Sequence, residues 1–131
     1  MSTRRASREV ALQVLFQYHF SPEIDLGQCL SLYESQFLRD KEAWDYANNL
    51  IGGVLEFKKS IDEIITTKSK NWKIERIAGV DLNILRIAVF EMKFMKEAVP
   101  RNAVINEAVE IAKKFGSENS SAFVNGILDQ V

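Results

Sequence analysis

The sequence VDLNILRIAVFEMKFM, residues 80–95, decides the fold of this chain. Placed on a helix, it is apolar on nearly every side, which is typical of a helix at the centre of a bundle. The run is shorter than the roughly 18 apolar residues that a membrane-spanning helix needs. It therefore predicts a buried central helix around which the other helices pack.

The rest of the chain has the spacing of amphipathic helices, with apolar residues three or four positions apart. These segments lie at residues 4–20, 26–37, 41–67 and 101–115, with a last helix after "SENS" at 117–120. Pro100 and Gly116 are the expected breaks before and after the fourth segment. No segment alternates like a strand. We predict one all-α domain over 1–131, a compact bundle of about six to seven helices. Its N-terminal helical subdomain would cover about 1–70 and its C-terminal one about 71–131.

Three residues carry expectations about packing. Gly52 and Gly53 lie inside the long third segment, where each is unfavourable unless a close contact needs the missing side chain. Trp72 lies in the connector 68–79, and we expect it to fill the seam between the two subdomains.

Composition excludes several functional classes. A single cysteine, Cys29, and a single histidine, His19, exclude an internal disulfide and a Cys- or His-based metal cluster. The sequence has no glycine-rich phosphate loop and fills none of the usual catalytic roles. We therefore predict a non-enzymatic protein without metal or cofactor. The polar start and the lack of a long apolar run predict a cytoplasmic protein that does not enter a membrane.

Two short segments of the chain are basic, residues 1–20 and 64–78, although its net charge is −1. On a helix, Arg4, Arg5 and Arg8 share one side with Phe16. Arginine can pair with phosphate through two hydrogen bonds, and an aromatic ring can stack on an unpaired base. The pattern is compatible with RNA binding, and equally with a solvated basic terminus that only aids solubility.

The sequence GSENSS, residues 116–121, is a second candidate for anion binding. A helix that begins here would point free N–H groups and the positive end of its dipole outward. Ser117, Asn119 and Ser120 are able to add hydrogen bonds, or simply to cap the helix. Phe115 and Phe123 flank the turn, and either core packing or contact with a base explains them.

Two long motifs resemble the NusB family of bacterial transcription antitermination factors. They are WKIERIAGVDLNILRIAVFEM at 72–92 and INEAVEIAKKFGSENSSAFVNGILD at 105–129, and the start RRASREVALQVLFQYHF at 4–20 resembles the family's arginine-rich first helix. The resemblance implies an all-helical fold and binding of boxA, a short single-stranded RNA element. It also implies the partner NusE, a ribosomal protein, and a complex with NusA, NusG and RNA polymerase that transcribes ribosomal RNA operons processively.

By position, the resemblance implies two sets of site residues. The RNA face would contain Arg4, Arg5, Arg8, Phe16, Phe115, Ser117, Asn119, Ser120 and Phe123. The face towards NusE would contain Asp81, Arg86 and Glu107. From the apolar surroundings of Arg86, we also expect an ion pair with Glu107 or Glu91.

The chain departs from the family where relatives commonly read DSHKF and this sequence reads NSSAF, residues 119–123. Ala122 replaces a lysine, which removes one expected phosphate contact. Asn119 replaces an aspartate, which removes a charge that would repel RNA.

Two alternatives to antitermination stay open at this level. One is the NusB-like RNA-binding domain of a ribosomal RNA cytosine methyltransferase, which would need a further catalytic domain. The other is a helical protein-interaction module or homodimer without specific RNA binding.

Overall fold

The computed structural model describes residues 3–37, 40–70, 72–95 and 99–131. Over these residues the chain is all-helical, which confirms the predicted fold class. Six α-helices follow one another in this described part: α1 Thr3–Phe20, α2 Leu26–Glu34, α3 Lys41–Lys68, α4 Gly79–Val89, α5 Arg101–Phe115 and α6 Ser120–Leu128. None of the helices in these ranges is long and apolar enough to cross a membrane.

Helix α4 is the centre of the bundle, as its sequence predicts. Every residue from Asp81 to Val89 is buried, and Leu85 and Val89 are completely inaccessible. The helix contacts α1, α3, α5 and α6. Because it meets neighbours in so many directions, the only sequence that suits it is one without a polar face.

The predicted central helix does not continue regularly to residue 95. It changes at Phe90 into a π-helical turn, Phe90–Phe94, which is closed by a hydrogen bond of 2.9 Å from Met95 N–H to the Phe90 carbonyl. Gly53 of α3 faces this turn, and a Cβ on Gly53 would lie 2.1 Å from a carbon of the Phe90 ring. The expectation that a close contact needs a glycine is therefore confirmed for Gly53. It is wrong for Gly52, whose added Cβ would have nothing within 4 Å.

Several helix ends follow the local sequence. Asp25 caps α2 by accepting a hydrogen bond from Gln28 N–H. After Glu34, α2 is followed by a 3₁₀ turn, Ser35–Phe37. The second α-helix is therefore shorter than the predicted segment 26–37. Pro100 directly precedes α5 and Gly116 directly follows it, as predicted. Residues 96–98, which belong to the break predicted before Pro100, lie outside the described residues.

Helix α1 packs against both α3 and α4, and one continuous apolar core includes residues of all six helices. The division into subdomains near residue 70 stays a prediction. The expectation that Trp72 fills a seam is wrong, because 51% of this residue is exposed. Ile77, which is only 6% exposed, is the connector residue that packs into the core.

Candidate nucleic-acid interface

Arg5, near the start of α1, joins this helix to α5 through its side chain. Its Nε and Nη2 donate hydrogen bonds of 3.0 and 2.6 Å to the two carboxylate oxygens of Glu107. The hydrogen bond from Arg5 lowers the pKa of Glu107, against the opposing effect of burial. With 39% of its side chain exposed, Arg5 still presents part of its guanidinium to solvent.

Arg8, one turn further along α1, is buried instead of exposed. Its Nε and Nη2 donate to Glu91 Oε1 and Oε2 at 2.7 and 2.8 Å, and its Nη1 lies 3.5 Å from Glu107. The Tyr46 hydroxyl donates a further hydrogen bond to Glu91. Burial and this hydrogen bond raise the pKa of Tyr46. Arg8 therefore fixes α1 against the π-helical turn that follows α4, and an RNA contact of its own stays a prediction.

Arg4 lies at the exposed edge of the same cluster. Its guanidinium carbon is 4.7 Å from the centre of the Tyr46 ring, which is a cation–π distance. Tyr46 thus contacts Arg4 with its ring and Glu91 with its hydroxyl. The three arginines lie together as predicted, but their environments differ. Arg4 is exposed, Arg5 is partly exposed and Arg8 is buried.

The turn between α5 and α6 is shaped by Ser120, which is only 2% exposed. Its Oγ accepts a hydrogen bond of 2.8 Å from Ser117 N–H. A Cβ on Gly116 would lie 2.4 Å from that Oγ, so the turn needs glycine there. Ser117 and Asn119 are exposed at the start of α6, where Asn119 makes no capping hydrogen bond with its side chain. They are the members of this group that a ligand would reach.

The predicted aromatic residues are half-buried. Part of the ring stays accessible in Phe16, Phe115 and Phe123. The other part of the Phe115 and Phe123 rings packs against the core, so core packing explains much of the burial of these two residues. Lys114 Nζ lies 5.4 Å from the Phe115 ring and forms an ion pair of 2.9 Å with Glu9 of α1. Through this pair, the C-terminal end of α5 is tied to the arginine-bearing helix.

Arg86 forms a second polar cluster in the described structure. Its Nε and Nη2 donate to Asp62 of α3 at 2.9 and 3.0 Å, and its Nη1 donates to Asn83 at 3.2 Å. The expected ion pair with Glu107 or Glu91 is wrong. Five positions along a helix rotate a side chain by about 140°, so Arg86 and Glu91 face different neighbours.

The residues expected to face NusE fall into two places. Glu107 lies among the arginines of α1, whereas Asp81 and Arg86 both lie on α4. Asp81 is 8% exposed, and its Oδ1 has no hydrogen-bond partner in the part of the chain that the structure describes. A buried acceptor without a donor is unfavourable, and because this oxygen is inaccessible, a donor from outside the chain would reach it only after a local rearrangement.

Tyr46 was missed from the sequence, and Glu91 was expected there only as a possible partner of Arg86, whereas its partner is Arg8. The signal for Glu91 was present, because an acid in an otherwise apolar helix needs a buried cation. Leu12 lies four residues after Arg8, on the same side of α1, and is only 2% exposed. This side of the helix faces the core, and Arg8 is buried for the same reason.

Fold and site together define a small all-α protein whose helices are joined by buried and half-buried ion pairs. Its described residues contain no cluster of three or more His, Cys, Asp or Glu side chains that would hold a metal ion. The model of the NusB family matches residues 5–131, and the chain belongs to that family. The family assignment made from the two sequence motifs is therefore confirmed.

The comparisons with individual proteins agree over the whole chain. The transcription antitermination protein NusB of Bdellovibrio bacteriovorus is 49% identical and aligns over 100% of this chain and 96% of its own length. The solved NusB of T. maritima is 40% identical, with a TM-score of 0.84 over 97% of this chain and 88% of its own. A further match is a chain in a crystal structure of the antitermination factors NusB and NusE in complex with double-stranded RNA. That chain is 30% identical in sequence, with a TM-score of 0.86 over 99% of this chain and 96% of its own length. These names describe transcription factors rather than enzymes, in line with the prediction.

Proposed function

We propose that this protein binds boxA single-stranded RNA together with NusE and promotes processive transcription of ribosomal RNA operons. NusA, NusG and RNA polymerase are its further partners in that complex. The observation that carries the proposal is the full-length similarity to a NusB that was crystallised with NusE and RNA. The antitermination proteins among the relatives favour this function over a methyltransferase fragment.

One surface, which we call the α1–α5 face, is formed by Arg4 and Arg5 of α1, Lys113 and Lys114 of α5, and Ser117 and Asn119 of the following turn, and its geometry supports RNA as the ligand. Arg4 and Arg5 expose cationic groups next to one another, and Lys113 and Lys114 are both more than half exposed at the end of α5. Beyond these lysines, the turn presents Ser117 and Asn119. Cations and polar groups that follow one another along a surface suit the repeating phosphates of a strand.

Asp81 is a candidate NusE contact because its Oδ1 has no hydrogen-bond partner among the described residues. This oxygen is buried, so a donor from NusE would pair with it only after a local rearrangement, and the pairing would then relieve an unsatisfied buried group. We expect Asp81→Ala to weaken binding of NusE and to leave binding of RNA by the isolated protein unchanged.

The test is a titration of labelled boxA RNA and of a scrambled RNA, at several salt concentrations, with and without NusE. We expect tighter binding to boxA and a further increase when NusE is present. Arg5→Gln should weaken binding and reduce the salt dependence, because losing one phosphate contact lowers the slope by about 0.7 for a single strand.

Lys59→Gln is the matched control, since it removes one cation from an exposed site on α3. It lies sixteen residues, or about 24 Å of helix, from Ala43, whose carbonyl accepts a hydrogen bond from Ser7 of α1. Equal affinity for both RNAs with NusE present would refute the boxA assignment. Binding of NusE without any binding of RNA would instead favour a pure protein-interaction module.

A further inference from the structure

Trp72 is an exposed aromatic residue that the α1–α5 face does not include. It is 51% exposed, and its position is fixed by a turn at the end of α3. Trp72 N–H donates to the Ser69 carbonyl at 2.9 Å, and Ser69 itself is buried, with its Oγ 2.8 Å from the Ile65 carbonyl. The backbone of Trp72 is therefore held in place by this turn, while its indole is left largely to solvent.

A groove of about 440 Å³ lies between this turn and α6. Trp72 meets Phe123 across it, with ring centres 5.8 Å apart and planes at 78°. The indole and the Phe123 ring thus form a corner with two aromatic surfaces. Lys68 and Lys70 line one side of the groove, and Ala122 and Gln130 belong to the other.

The charge around the groove favours an anion. Residues 64–78 contain Lys68, Lys70, Lys73 and Arg76 and only one acid, Glu75. None of these four cations takes part in a salt bridge within the residues that the structure describes. Cations without internal partners next to an exposed indole match a ligand that alternates phosphates with flat rings.

We propose that Trp72 stacks on an unpaired base of the bound RNA, with Lys68 and Lys70 contacting the adjoining phosphates. The inference rests on the proposed function and extends the RNA path from Phe123 onto the turn between α3 and α4. It also places positive charge opposite Ala122, which lines the same groove as Lys68 and Lys70.

The first measurement is the tryptophan fluorescence of the protein during titration with boxA RNA. A base stacked on the indole is expected to quench it, and the same titration of Trp72→Phe gives the contribution of the buried Trp44. Quenching in the wild type that is absent in Trp72→Phe supports the proposal. Equal fluorescence changes in both proteins, at RNA concentrations that saturate binding, would overturn it.

The second measurement is the affinity of variants for labelled RNA. Because Trp72→Ala removes the stacking of one base, we expect it to lower the affinity for RNA about fivefold or more. Trp72→Phe keeps an aromatic ring and should retain most of the affinity. Leu32→Ala is the control, because Leu32 is a similarly exposed apolar residue, at 73%, on α2. Since stacking is tolerant of base identity, the loss should be the same when the bases that flank boxA are changed.

The third measurement separates the phosphate contacts. Lys70→Gln should reduce the salt dependence of RNA binding, and Ala122→Lys in that background should restore it. If the Trp72 variants bind boxA normally but bind NusE less tightly, the groove takes a protein segment and the inference is wrong while the proposed function stands. If wild-type protein binds no RNA even with NusE, the proposed function fails and the inference fails with it.

Discussion

Replacing Arg8 with methionine is expected to destabilise the protein strongly. Arg8 is 5% exposed and Glu91 is 1% exposed, so the substitution leaves a carboxylate in the core without its cation. Breaking a buried ion pair by removing one partner costs about 3–5 kcal/mol. Stability of a domain is about 5–15 kcal/mol in total, so this single change removes a large share of it.

The effect of removing both charges separates the ion pair from the packing around it. The double variant Arg8→Met, Glu91→Leu has no buried charge, and apolar replacement of such a pair is often neutral. It leaves the Tyr46 hydroxyl without its acceptor, at a cost of about 1–3 kcal/mol. We therefore expect the double variant to be more stable than Arg8→Met alone, and Tyr46→Phe in the double background to recover part of the remaining loss.

The assay is urea unfolding at neutral pH, followed by far-ultraviolet circular dichroism. Arg76→Met is the control, because Arg76 is exposed and such substitutions change stability by about 0.5 kcal/mol or less. A cost below about 1 kcal/mol for Arg8→Met, or strict additivity in the double variant, would refute the argument. RNA binding by Arg8 variants has to be read together with this stability loss.

Further predictions concern the glycines of α3 and the single histidine. Gly53→Ala should destabilise the protein by about 1–3 kcal/mol, because the added Cβ would overlap the Phe90 ring. Gly52→Ala should stabilise it by about 0.5–1 kcal/mol, because the added Cβ has open space and glycine is unfavourable inside a helix. Urea unfolding midpoints that shift in the same direction for both variants would contradict this. Burial and the nearby Arg86 lower the pKa of His19 below 6.5, so the folded state resists protonation. Stability is then full above pH 6.5 and falls as the pH drops below it towards the lowered pKa. His19→Gln should flatten this part of the curve, and an identical pH profile for both proteins would show that His19 is not its cause.

The helices could be predicted from the sequence because their signal is local. Apolar spacing over residues 41–67 predicts a helix that the structure places at Lys41–Lys68, and the lack of a polar face predicts the central position of α4. The π turn that follows Val89 has no such signal. Its first residue, Phe90, packs against Gly53 of α3, and this contact between distant parts of the chain is visible only in the structure.

The ion pairs could not be predicted because their partners are far apart in the chain. Arg8 and Glu91 are separated by 83 positions, and Arg5 and Glu107 by 102. Spacing places the arginines on one side of α1, but only the packing of α4 and α5 decides which of them meets a carboxylate. The exposure of Trp72 has the same kind of cause, since Ile77 occupies the core position instead.

This packing changes the meaning of the arginine-rich start. Arg8 is committed to Glu91 and holds α1 on the central helix, while Arg5 is only partly engaged by Glu107 at the surface. A phosphate that approaches Arg5 competes with a carboxylate that already orients the guanidinium, so the site is preorganised at the expense of some charge. In the proposed RNA complex, additional positive charge would then have to come from elsewhere. Lys113 and Lys114 are themselves paired with Glu110 and Glu9, so Lys68 and Lys70 beside Trp72 are the stronger candidates. Loss of Arg8 should accordingly reduce stability and RNA binding together, whereas loss of Trp72 should reduce RNA binding alone.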